Sequence, residues 1–144
     1  MIKIICVGKI KENYLKEGIM DYLKRINKYH KTTIIELPDS NIINEGEEII
    51  KHLDNKDYLI AMCIEGNNLS SVELSDKIDK TFITNPSITF IIGGSDGIRE
   101  DIKNKCHYKL SFSKMTFPHG LFRIILLEQI YRSFKILNNE SYHK

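Results

Sequence analysis

"SITFIIGG", Ser87–Gly94, is a run of apolar, mostly β-branched residues closed by two glycines. It lacks the polar alternation of a half-solvated strand, so it reads as a strand covered on both faces, the signature of a parallel sheet flanked by helices. "YLIAMCIEG", Tyr58–Gly66, has the same character and the same glycine ending. Parallel strands need a crossover, and "SSVELSDKIDKTF" (Ser70–Phe82) supplies a helical one, with Ser70 or Ser71 as its N-cap and Glu73 or Leu74 in its first turn.

The alternation continues outward in both directions. "IKIICVG" (Ile2–Gly8) and "TTIIELP" (Thr32–Pro38) read as strands. Between them, Glu12–Lys28 shows Tyr14, Leu15, Ile19, Tyr22, Leu23 and Ile26 at helical spacing. "NEGEEIIKHLDN" reads as a short acidic helix, "IREDIKNKC" as another, and "YKLSFS" (Tyr108–Ser113) as a fifth strand. Pro118–Leu137 is the final long helix; proline suits a first helical turn because its missing N–H is no loss there. The expected fold is α/β, a parallel-type sheet with helices on both faces, in one domain over 1–144. In such sheets ligands gather at the carboxyl ends of the strands. That points to Gly66, Gly93–Gly97 and the loop Ser113–His119.

Composition bounds the function. The chain is 42% hydrophobic and 28% charged, ordinary for a soluble globular protein. No stretch approaches the roughly 18 apolar residues of a membrane span, and "MIKIICVGKI" reads as a strand rather than a signal peptide, so a cytoplasmic protein is expected. Cys6, Cys63 and Cys106 form no CxxC pair, which argues against a metal site or a disulfide framework. Net charge is +2, unevenly spread. Residues 1–31 hold eight Lys/Arg against three Asp/Glu, residues 32–102 five against fourteen, and residues 103–144 eight against two. Basic ends around an acidic middle give a polyanion-binding protein a positive face, if the fold brings the ends together.

The glycine turn is no dinucleotide fingerprint. Gly93, Gly94 and Gly97 have GGxxG spacing and follow the fourth strand, and no Walker A sequence is present. The combination of "FIIGGSDG", a short helix, "LSFSKMTFPHGLFRIILLEQIYRSFKI" and a terminal "YHK" instead resembles the small SPOUT-class RNA methyltransferases, and among them the large-subunit rRNA methyltransferase H family. The resemblance extends over the whole chain, including "IICVGKIKENYLKEGIMDYLKRI".

The resemblance implies a C-terminal trefoil knot, a homodimer, and S-adenosylmethionine (SAM) held in the knot. It implies methylation of N3 of a pseudouridine in 23S rRNA of the large ribosomal subunit. Carried over by position, the cofactor contacts fall on Met62, Gly93, Phe112, Ser113, Lys114, Met115, Thr116 and Phe117. Relatives commonly have leucine at the position of Met62 and glutamine at that of Gly120, and the linker around Asp39–Glu48 is short here. The chemistry needs no metal, but the N3 proton must leave. His119, at the loop-to-helix junction, and His143, beside Tyr142 at the chain end, are the candidates, with the tail expected to lie over the SAM cavity. Arg123 sits in an apolar helix, where a charge needs a partner. An RNA phosphate or a carboxylate across a dimer interface is expected, since Glu128 stands at a poor i,i+5 spacing. Lys114, Arg132 and Lys135 are candidate phosphate contacts. Two other readings of the same residues are a flavodoxin-like small-molecule binding module without catalysis and a ribosome-associated RNA-binding factor.

Overall fold

The structure, a computed structural model, describes residues 1–144. Five strands, β1 (Ile2–Val7), β2 (Thr32–Leu37), β3 (Tyr58–Asn68), β4 (Ile88–Ile92) and β5 (Tyr108–Ser111), form one sheet in the order β2-β1-β4-β3-β5. Every pairing is parallel, as the unbroken apolar strands require. Five helices connect and follow them: α1 (Asn13–Ile26), α2 (Ile42–Lys51), α3 (Ser71–Thr84), α4 (Glu100–Lys105) and α5 (His119–Leu137).

Alternate side chains of the central strands feed two cores. On one face Ile4, Ile60, Phe90 and Leu110 pack with Ile19 of α1, Ile78 of α3 and Leu126, Leu127 and Ile130 of α5. On the other, Ile5, Val7, Ala61 and Ile91 pack with Ile49 of α2 and Ile102 of α4. At roughly 1.5–3 kcal/mol per buried aliphatic or aromatic side chain, these layers dominate the folding energy. α5 lies between α1 and α3, so its apolar circumference is covered largely by its own chain.

Local signals place the helix starts. Ser70 caps α3 in a reciprocal box: its hydroxyl accepts from Glu73 N–H, and the Glu73 carboxylate accepts from Ser70 N–H. α2 begins two residues before the expected Asn44, because the Asn41 side chain accepts from Asn44 N–H at 2.8 Å and caps it there. β3 runs past Gly66, the expected end, for a different reason. Met62 and Asn67 both align with Leu110 of β5, so Cys63–Gly66 bulges out of the ladder and the strand then resumes. Gly66 permits this crossing, since a Cβ there would lie 2.8 Å from the Leu110 and Lys109 backbone.

Candidate active site

The bulge of β3, the turn after β4 and the loop after β5 meet at the carboxyl edge of the sheet and enclose a cavity of about 250 Å³. Seven of the eight residues expected to contact a cofactor line it: Met62, Gly93, Phe112, Ser113, Met115, Thr116 and Phe117. Lys114 is exposed and outside this lining. His119, in the first turn of α5, stands at the cavity wall. The loop is braced by its own hydroxyls: Ser111 donates to Ser113 O at 3.0 Å, and Ser113 Oγ accepts from Met115 N–H at 3.0 Å. Phe122, one turn into α5, stacks at a tilt on Phe112 and Phe117 and ties the loop to the helix.

The glycines serve the turn first. A Cβ on Gly93 would lie 2.5 Å from the backbone of Gly97, and one on Gly94 would lie 2.8 Å from the Glu45 carboxylate. Gly97 has φ +82°, the left-handed conformation that glycine adopts freely, and its N–H closes the turn onto Gly94 O at 2.9 Å. The close approach inferred from the sequence is therefore, in the folded chain, backbone against backbone within the turn.

Glu65 and Lys103 were not singled out in the sequence, yet both line the cavity, joined by a 2.6 Å ion pair. The lysine's hydrogen bond holds the Glu65 carboxyl below its ordinary range, so the acid is ionised at neutral pH. Glu65 lies in the four-residue bulge, a feature that strand periodicity does not reveal.

Arg123 departs from its expected role. It is 1% exposed, and its partners lie within the chain: Nη1 pairs with Glu36 at 2.7 Å, and Nη2 donates to Val7 O at 2.9 Å and Gly8 O at 2.6 Å. A guanidinium so enclosed does not reach an RNA phosphate, and it clamps the end of β1 instead. Glu128 pairs with Arg132, at proper i,i+4 spacing.

The tail is equally distinct. Tyr142 packs edge-on against Tyr131 with ring centres 5.0 Å apart, donates to Glu128 Oε1 at 3.1 Å and lies under the Arg132 guanidinium. His143 Nδ1 is 3.1 Å from Arg132 Nη1. Burial, then the nearby Glu128 carboxylate, push the Tyr142 hydroxyl up to about 12, so it remains a neutral donor at physiological pH. Along α5 the thirteen steps from His119 to Arg132 span roughly 20 Å. Within one chain, therefore, the tail does not cover the cavity, and His119 and His143 do not share a site.

No helix is long and apolar enough to cross a membrane, and no group of three or more His, Cys, Asp or Glu side chains is placed to hold a metal ion.

Comparisons with known proteins agree with this architecture. The chain is 48% identical over 157 aligned residues to "Ribosomal RNA large subunit methyltransferase H" of Clostridium botulinum (strain 657 / Type Ba4), covering 99% of both chains. The protein of the same name from Alkaliphilus oremlandii is likewise 48% identical, with the same coverage. Among solved structures, a probable methylase family protein from Haemophilus influenzae superposes with a TM-score of 0.61 at 16% identity, covering 99% of this chain and 70% of that one. The SpoU methyltransferase AviRb from Streptomyces viridochromogenes, determined in complex with AdoMet, gives 0.50 at 10% identity, covering 92% of this chain and 57% of that one. The profile of the family described as predicted SPOUT methyltransferase matches residues 1–143, and the chain belongs to that family.

Proposed function

We propose that this protein transfers the methyl group of SAM to N3 of a pseudouridine in the RNA of the large ribosomal subunit, in the cytoplasm and as a homodimer. The observation that carries the reading is the convergence of three strand-end loops on one cavity, in a chain 48% identical over its length to proteins named for ribosomal RNA methylation.

The cavity suits SAM, which joins an adenine ring to a charged amino-acid end. Half of its twenty lining residues are hydrophobic, and the rest include hydroxyls, turn glycines and the Glu65–Lys103 pair. Met62, Phe112, Phe117 and Met115 offer apolar walls, while Gly93, Ser113 and Thr116 bring backbone and hydroxyl groups to the same space, with Lys114 just outside. When bound, SAM supplies a methyl group already activated on a sulfonium. The chain's part is to exclude water, fix the direction of approach and accept a proton, and positioning alone supplies a large share of such accelerations. His119, at the cavity wall, is the titratable side chain this reading assigns to the incoming base.

The position of the tail supports dimerisation. Tyr142 and His143 are held beside Arg132, roughly 20 Å along α5 from their own His119, and in this reading they serve the cavity of a second copy. Ile125, Gln129, Arg132 and Ile136 form a half-buried stripe along α5 at helical spacing and offer a surface for that contact. The knot belongs to the same reading. β5 lies at the sheet edge beyond β3, yet α5 lies between α1 and α3, so Phe112–Pro118 must pass across the carboxyl ends of the strands.

Isothermal titration with SAM tests the proposal: one site per chain with micromolar affinity is expected. Absence of binding would leave a ribosome-associated RNA-binding factor as the better account.

A further inference from the structure

Of the twenty residues that line the cavity, Glu65 and Lys103 are the only Asp, Glu, Lys or Arg, one of each sign. They come from different elements. Glu65 is carried on the bulge of β3, which leaves the ladder between Met62 and Asn67. Lys103 follows Ile102, which is fully buried and seats α4 in the smaller core. The pair is made through Glu65 Oε1 at 2.6 Å, so Oε2 is open to a further donor. The other carboxylate near Lys103 Nζ, that of Glu100, is 3.8 Å away, too far for a hydrogen bond, so the ammonium keeps donors to spare. The hydrogen bond between the two holds the Glu65 carboxyl below its ordinary range and the Lys103 ammonium above its own, so both stay charged at neutral pH. Since α4 and α5 cover opposite faces of the sheet, the pair and His119 approach the cavity from opposite sides.

We propose that this pair holds the amino-acid end of the cofactor, Glu65 accepting from its ammonium and Lys103 donating to its carboxylate; the proposal rests on the methyltransferase reading above. One acid beside one base matches a group that carries one cation and one anion on a single carbon, and the four charges then alternate. The rest of the lining, His119 apart, is apolar, hydroxyl, thiol or glycine, so no other side chain there answers two charges at once. The assignment gives the cavity a direction. The amino-acid end lies on the α4 side, and the α5 side, with His119, is left to the base. It also gives selectivity, which is a difference between affinities. Nucleosides and 5′-methylthioadenosine keep the adenine and the ribose but lack the amino acid, and they forgo both contacts. Adenine nucleotides would bring phosphate charge against the Glu65 carboxylate. A pair that only tied the bulge to α4 would act on every adenosine ligand alike, and that difference separates the two roles.

The test is calorimetric titration of the full-length protein with three ligands. S-adenosylhomocysteine has the whole amino-acid end, decarboxylated SAM lacks its carboxylate, and 5′-methylthioadenosine lacks both charges. The wild-type protein is expected to bind S-adenosylhomocysteine about tenfold or more tightly than methylthioadenosine, the worth of one or two charge-assisted hydrogen bonds. Glu65→Gln and Lys103→Met keep the length of each side chain and remove its charge. Each should lose about tenfold in affinity for S-adenosylhomocysteine, with methylthioadenosine moved by less than about twofold. Decarboxylated SAM should be weakened by Glu65→Gln and not by Lys103→Met. Equal losses for S-adenosylhomocysteine and methylthioadenosine would make the pair a brace of the cavity and overturn the proposal. So would an unchanged affinity for S-adenosylhomocysteine in either variant. A wild-type protein with no preference between those two ligands would overturn it as well, whether or not the variants fold. A wild-type protein that binds none of the three would instead sink the methyltransferase reading itself.

Discussion

Arg123 shows how a single charge inside an apolar helix is stabilised. An unpaired guanidinium in a protein interior is costly, and removing one partner of a buried ion pair typically costs about 3–5 kcal/mol. Here Glu36 and the carbonyls of Val7, the last residue of β1, and Gly8 just beyond it share the charge. The sequence made the need for a partner plain, but not its identity, because Glu36 lies 87 residues away on a strand reached only through the fold. Gly93 teaches the complementary lesson. Its place at the cavity follows from the strand pattern, whereas the atoms that exclude a side chain are those of Gly97. Gly93→Val should therefore displace the turn as well as block the cavity. The expected cost is about 1–3 kcal/mol of stability, in the range of ordinary overpacking, together with loss of SAM binding. Denaturant melts and calorimetric titration on the same sample would check this. Wild-type stability with SAM binding lost would mean that the glycine serves the ligand alone.

At the scale of elements, what the sequence shows best is periodic and local. The apolar strands, the helix between Tyr58–Gly66 and Ser87–Gly94, and its N-cap at Ser70 or Ser71 follow from short-range physics, and the structure has the strands, the helix and Ser70 as the cap. The Cys63–Gly66 bulge did not follow, since it depends on two β3 residues competing for Leu110 of a strand some forty residues later. Nor did the position of the tail, which depends on a network of Tyr131, Arg132 and Glu128 along one side of α5. That network anchors the tail through Tyr142 alone, which packs at the edge of the larger core beside the buried Tyr131, while the neighbouring Ser141, His143 and Lys144 are exposed. Deleting Tyr142–Lys144 is expected to leave folding, dimerisation and most SAM affinity intact, while methylation of the ribosomal substrate falls at least tenfold. An unchanged rate would show the tail to be only a cover for Tyr131.

For the whole molecule, the uneven charge acquires a geometry. The basic first and last segments become neighbours because α1 packs along α5, so closely that a Cβ on Gly18 would lie 2.9 Å from Ile124 Cδ1. The acidic α2 lies on the opposite face of the sheet. The lysines and arginines that α1 and α5 bring to one side of the sheet suit a polyanionic substrate, and their contribution should weaken with salt. The five-stranded parallel sheet was legible from the runs of apolar residues alternating with helices. The most direct measurement is transfer of isotopically labelled methyl from SAM to large ribosomal subunits, followed by mass mapping of the RNA. The account predicts one methyl group, on N3 of one pseudouridine of the large-subunit RNA, and none on a control lacking that pseudouridine. Label absent from the RNA, or fixed on a nucleotide without a uracil-type N3 edge, would contradict it.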